Sequence, residues 1–187
     1  MIWSSTHANP VVLSPADIQT SAAVERWFPP PLGIYKINSD AAINSVDFCI
    51  GLGFVVRDAE GFVLAAGAQP LQFCVSPLVA EAMAILRGIQ FASEMGISPI
   101  MVESDSLSVI NIITSHAFPL SDVGVVISDI YRSIEALNDF KIIFASRQAN
   151  SVAHGLAKLA LSLSDASFWL EDYPPCIENL VLGNYPV

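Results

Sequence analysis

Three runs rich in β-branched and aromatic residues, Gly33–Ile43, Asp47–Asp58 and Gly61–Phe73, succeed one another with only turn residues between them. The turn signals are Asn44-Ser45 and Asp58-Ala59-Glu60-Gly61. Connections this short leave no room for a crossover, so the three runs must pair as an antiparallel meander. The period then changes. Ser76–Gly96 reads as a helix, with Ser76 as cap, Pro77 at the first helical position and Gly96 as the stop. Its Leu78, Ala82, Ile85, Leu86 and Ile89 share one stripe. Pro99–Ser104 reads as a strand, Asp105–Ser115 as a helix, and Ser121–Asn138 as a second long helix with Val125, Ile127, Ile130, Ile134 and Leu137 apolar. Phe140–Ser146 is a fifth strand. Asn150–Ser162 is a last helix, with Val152, Leu156, Leu159, Ala160 and Leu163 on its apolar face. The order βββαβααβα predicts an α/β fold, a mixed sheet with helices packed on it.

Residues 1–32 read as a Pro-punctuated leader that ends in Pro29-Pro30-Pro31, with Trp27 and Phe28 placed to dock on the folded domain. That domain is expected over 33–165. Residues 166–187, with Phe168, Trp169, Tyr173 and Pro174-Pro175, form a tail expected to cover the sheet or an edge strand. At 187 residues and 53% hydrophobic, the chain suits one domain with a sizeable core and excludes a disordered protein. Eight Lys plus Arg against 18 Asp plus Glu give a formal net charge of −10, which excludes a broadly basic nucleic-acid clamp. Binding a polyanion then requires a local basic patch or metal ions. No run of 18 apolar residues and no secretion signal is visible, so the expectation is an intracellular chain, cytoplasmic or nuclear, with no membrane partner. Cys49, Cys74 and Cys176 form no CxxC pair and read as free thiols.

Lys36, Asn38 and Asp40 alternate onto one face of the first strand, and Tyr35 and Ile37 onto the other. A polar face of this kind predicts an edge strand or a solvated face. Glu81 lies beside the apolar stripe of the first helix, where an unpaired carboxylate costs several kcal/mol or takes up a proton. Asp105 ends the fourth strand and starts a helix, the position of an N-cap, and Glu103 reads as a surface carboxylate. If the first and fourth strands are neighbours, Asp40 and Asp105 meet, and the first helix can lay Glu81 over them. Three clustered carboxylates repel, and persist together only protonated or bound to cations. An oxygen-rich set with few nitrogen or sulfur ligands suits Mg²⁺ or Mn²⁺. Two such ions can cut phosphodiesters, one activating water and the other stabilising the leaving oxygen.

Four segments occur in order along the chain: Lys36-Ile37-Asn38-Ser39-Asp40, Ala80-Glu81-Ala82, Glu103-Ser104-Asp105-Ser106, and Arg147-Gln148-Ala149-Asn150-Ser151-Val152-Ala153-His154-Gly155-Leu156-Ala157-Lys158. In these, over roughly Trp27 to Leu180, the sequence resembles type 1 ribonuclease H domains, most closely their plant reverse-transcriptase-like, retroelement-derived branch. The resemblance implies a five-stranded mixed sheet with helices on both faces. It also implies metal-dependent endonucleolytic cutting of the RNA strand in RNA–DNA hybrids, leaving a 3′-hydroxyl and a 5′-phosphate. Asp40, Glu81 and Asp105 would be catalytic, metal-binding carboxylates holding two ions. Asn38, Ser106 and Asn150 would lie at the hybrid backbone. The expected partner is an RNA–DNA hybrid or another nucleic acid, and the expected state a monomer.

Four departures from the family pattern stand out. His154 occupies the position of the family's fourth Asp; its imidazole can bind a divalent ion or, protonated, pair with a carboxylate, so it joins the expected catalytic and metal set. Ala41 stands where Gly is usual, and Phe144-Ala145-Ser146 where relatives place a His that aids turnover. Between Ser121 and Asn138 the single cation is Arg132, where a basic insertion is absent, which implies weak and steeply salt-dependent hybrid binding. His7 and His116 carry no role. A catalytically weak or inactive binding or interaction module stays open as an alternative, as does a 3′–5′ exonuclease on a related sheet.

Overall fold

The structure, a computed structural model, describes residues 26–135, 137 and 140–184. Most of the expected leader, residues 1–25 with His7, lies outside the described residues, as does the Asn138 end of the second long helix. The strands are β1 (Tyr35–Asn44), β2 (Cys49–Arg57), β3 (Val63–Leu71), β4 (Ile100–Ser104), β5 (Phe140–Phe144) and β6 (Ser167–Leu170). The helices are α1 (Pro77–Glu94), α2 (Leu107–Thr114), α3 (Asp122–Glu135), α4 (Ser151–Ala160) and α5 (Glu178–Leu182). Ser76 caps α1 through its side chain, Pro77 opens it, and Gly96 (φ +68°) takes the left-handed turn that ends it.

The sheet order is β5-β4-β1-β2-β3-β6. The meander forms as expected, with β1–β2 and β2–β3 antiparallel, while β1–β4 and β4–β5 are parallel. Among the described residues the sheet has six strands rather than five. The sixth comes from the C-terminal tail, which pairs antiparallel with β3 and so covers that edge of the sheet. Phe168 on β6 stacks on Phe91 at 5.2 Å between ring centroids, and Trp169 and Tyr173 pack against the core beneath α4. This strand needs β3 as a template. Four residues have no periodicity of their own to announce it.

Because β1 is flanked by β2 and β4, it is an interior strand, and the edge or solvated position expected for its polar face is wrong. Lys36, Asn38 and Asp40 are 4%, 0% and 2% exposed. Helices α1, α2 and α3 cover one side of the sheet over a core of Ile37, Phe54, Val56, Ile85, Ile89 and Ile127. Val125, one of the apolar residues of α3, points outward at 65% exposure. Helix α4 covers the other side, packing Val152 and Leu156 on Val55, Val63 and Ala66.

Helix α4 reaches the sheet because β2 has two glycines beneath it. A Cβ on Gly53 would stand 2.2 Å from the Ala157 nitrogen and 2.5 Å from the Ala153 oxygen. A Cβ on Gly51 would stand 2.2 Å from the Ala157 oxygen. Helix backbone thus rests on strand backbone, with only Ala153, Ala157 and Ala160 between them. This close seat sets the height of every α4 side chain over β1, His154 included. A methyl group inserted there cannot be absorbed by a flexible neighbour. Gly53→Ala is expected to lower stability by about 1–3 kcal/mol, the usual cost of overpacking, as a reduced midpoint in urea unfolding.

Candidate active site

Asn38 of β1 lies beside Glu103 of β4 in the parallel register. Side chains return to the same face every second residue, so Asp40 and Asp105, two positions further along each chain, leave the sheet next to one another. Strand β4 pairs with β1 only as far as Asn38, which leaves the backbone of β1 beyond it open on that side. Glu81, in the second turn of α1, enters this gap and meets the Ala41 backbone. One carboxylate oxygen from each of Asp40, Glu81 and Asp105 lies within 4.8 Å of the others. Oε2 of Glu81 is buried with no hydrogen-bond partner among the described residues. A buried carboxylate with one unpartnered oxygen, set beside two more carboxylates, fits a hard divalent cation, which would offset the repulsion.

His154 comes down from α4 onto Asp40, with Nδ1 2.6 Å from Oδ2. Its Nε2 lies 3.3 Å from Nη2 of Arg147. An arginine only donates, so this contact requires a bare Nε2 and places the ring proton on Nδ1, where it is donated to Asp40. His154 thus holds one oxygen of Asp40 and lies outside the group of three carboxylates. Arg147 also brings Nη1 to 3.8 Å from Oδ2 of Asp105, while its side chain stays 70% exposed.

Asn150 precedes α4 and is 1% exposed. Its amide nitrogen donates to the Ser39 carbonyl at 2.9 Å and reaches Oδ1 of Asp105 at 3.4 Å. Asn38 is fully buried. Its nitrogen donates to Glu103 (2.9 Å) and to Asn150 (3.2 Å), and its oxygen accepts from Arg57 (2.9 Å). This side chain is spent on the interior and offers nothing to a hybrid backbone. Ser106 is half-buried beside Asp105 and takes the N-cap position of α2, so Asp105 is not the cap expected of it. Glu103, expected on the surface, is 7% exposed and accepts from Nζ of Lys36 at 2.5 Å. Trp27 closes this layer from outside, 3.6 Å from the Arg57 guanidinium and 5.4 Å from the Lys36 ammonium. Sequence reasoning finds Arg147 inside a motif but gives it no role, and it misses the Lys36–Glu103–Arg57 layer. The signal is present in the alternation, because Glu103 and Asp105 repeat the spacing of Asn38 and Asp40.

Burial, and then the charge of Asp40 and Asp105, push the Glu81 carboxyl from 4.5 up to about 8; Arg147 and the Ala41 backbone pull the other way. Burial is also the main cause lifting Asp40 from 3.8 to about 6, against the hydrogen bond from His154. In both cases the folded chain holds a proton that the unfolded chain has already lost. Stability is therefore fully present below about pH 4 and falls as pH rises, first through about 6 and then through about 8. Metal-free protein should melt at a lower temperature at pH 8 than at pH 5. Glu81→Gln should flatten the upper part of that decline. Mn²⁺ should raise the melting temperature more at pH 8, where it displaces fewer protons, and thermal scans in chelator and in Mn²⁺ check all three.

Comparison with known proteins bears on the family and the fold. The sequence model of the family described as reverse transcriptase-like matches residues 38–160. A protein of Arabidopsis thaliana named as a putative ribonuclease H protein is 26% identical over 165 residues, which is 87% of this chain; the chain spans 26% of that relative's length. Among solved structures, ribonuclease H1 from Halobacterium salinarum superposes with a TM-score of 0.64 at 21% identity, over 69% of this chain and 98% of that one. The N-terminal ribonuclease H domain of a Mycobacterium tuberculosis protein gives 0.63 at 21%, over 69% and 94%. A ribonuclease H1 isolated from compost, solved in complex with an RNA/DNA hybrid, gives 0.62 at 16%, over 68% and 96%. A family match across most of the folded strands and helices makes this chain a member of the reverse transcriptase-like family, and the structural likeness gives it a ribonuclease H-like fold.

Proposed function

We propose that the chain is a metal-dependent endonuclease that hydrolyses the RNA strand of RNA–DNA hybrids. The observation that carries this reading is the convergence of Asp40, Glu81 and Asp105 within 4.8 Å, with one Glu81 oxygen buried and unpartnered among the described residues. Asp40, Glu81 and Asp105 would hold Mg²⁺ or Mn²⁺. When bound, a pair of such ions supplies an activated water and charge stabilisation at the leaving oxygen. The protein's own part is positioning. His154 holds Asp40 through Nδ1, so its role here is to orient a ligand from a place outside the ligand set. Asn150 ties Asp105 to the β1 backbone at Ser39, and Asn38 braces Asn150 and Glu103 from within. Ser106, half-buried beside Asp105, is the remaining candidate for a backbone contact. The reading is further supported by the fold-level likeness to a ribonuclease H1 solved with an RNA/DNA hybrid.

Purified protein in Mg²⁺ or Mn²⁺ should cut an end-labelled hybrid at internal positions, leaving 3′-hydroxyl ends. Asp40→Asn should lower the rate by at least about 100-fold, since it removes a charge that holds the ions. Cutting that survives the substitution, or a ladder shortening from one end, would overturn the assignment. Absence of both cleavage and a thermal shift in millimolar Mg²⁺ would point to the non-catalytic module.

A further inference from the structure

A chain with a net charge of −10 and three converging carboxylates repels a polyanion, so the cations that remain available near the site decide how it is bound. Of the eight Lys and Arg side chains, four are engaged away from these three carboxylates. Lys36 and Arg57 are buried in the layer under α4, at 4% and 1% exposure. Arg87 is held by Glu94 and Gln69, and Arg132 by Asp129. Arg132 is as exposed as Arg147, at 74%, and Lys158 on α4 is exposed as well, so what sets Arg147 apart is its contact with the acid cluster. Arg147 is 70% exposed, yet its guanidinium reaches both Asp105 (3.8 Å) and His154 (3.3 Å).

Its backbone is not free to wander. The Ala149 N–H donates to Oγ of Ser146 at 3.2 Å, the Asn150 N–H to the Ser146 carbonyl at 2.9 Å, and the Ala145 N–H to the Ser104 carbonyl at 3.0 Å. A stitched turn thus presents an exposed cation at the rim of the acid cluster.

We infer that Arg147 is the substrate-binding residue that grips a phosphate of the nucleic-acid backbone at this site; this rests on the hybrid-cutting reading above. With the carboxylates holding divalent ions, Arg147 would lose Asp105 as its anionic partner and would be left to pair with a backbone phosphate. The planar fork suits two phosphate oxygens at once, which a lysine cannot match.

The test is fluorescence anisotropy of a labelled RNA–DNA hybrid in Ca²⁺, repeated across salt concentrations, alongside cleavage in Mg²⁺. Arg147→Ala should weaken binding about 10-fold and reduce the slope of log Kd against log salt by about 1, with the melting temperature in Mg²⁺ little changed. Arg147→Lys should keep the slope and recover only part of the affinity. Arg132→Ala should alter neither. A wild type that binds and cuts, beside an Arg147→Ala variant with unchanged affinity and slope, would overturn the Arg147 assignment alone. A wild type that neither binds nor cuts the hybrid would overturn this assignment together with the reading it rests on.

Discussion

Charge enters the middle of this sheet on β1, and the arrangement around it reflects the need to pair that charge. Lys36, Asn38 and Asp40 stand under α4, out of water. Burying an ion without a partner costs several kcal/mol, so each one dictates what its neighbours must be. Lys36 is met by Glu103 and by the Phe28 carbonyl; Asn38 is met by Glu103, Asn150 and Arg57. Asp40 is met by His154, and also by two further carboxylates whose like charge repels its own. The layer is balanced at the Lys36 end and unbalanced at the Asp40 end. The surplus negative charge accumulates where a cation can reach it.

Much of this is legible from residues alone, because it depends on local chemistry. The meander comes from turns too short for anything else, α1 from Ser76, Pro77 and Gly96, and the meeting of Asp40, Glu81 and Asp105 from strand alternation and one assumed neighbour relation. What escapes depends on register. Glu103 looks like a surface acid until β4 is laid parallel to β1 with Asn38 beside it. The polar face of β1 looks like an edge until both flanks are filled. The placement of His154 outside the carboxylate group reflects how far α4 sinks onto Gly51 and Gly53, a distance that helical periodicity does not contain.

The two sides of the sheet divide the labour. Over α1, α2 and α3 the core is broad, built of aliphatic side chains with Phe54, Phe91 and Phe140 among them. Under α4 the contact is narrower, made of small residues and ordered polar groups. Stability is concentrated on the first side, so the second can carry acids whose mutual repulsion works against folding. Such local conflict with good packing is what a reactive centre requires.

Trp27 lies ahead of β1 in the chain and is 2% exposed, with its indole against the Arg57 guanidinium. The indole is a roof, and removing it would flood a chamber that reaches, in three hydrogen-bonded steps through Asn38 and Asn150, to Asp105. The integrity of the carboxylate cluster is therefore wired to chain that precedes the sheet altogether. A fragment trimmed to its first strand would keep all three acids and lose the dryness that holds protons on Asp40 and Glu81.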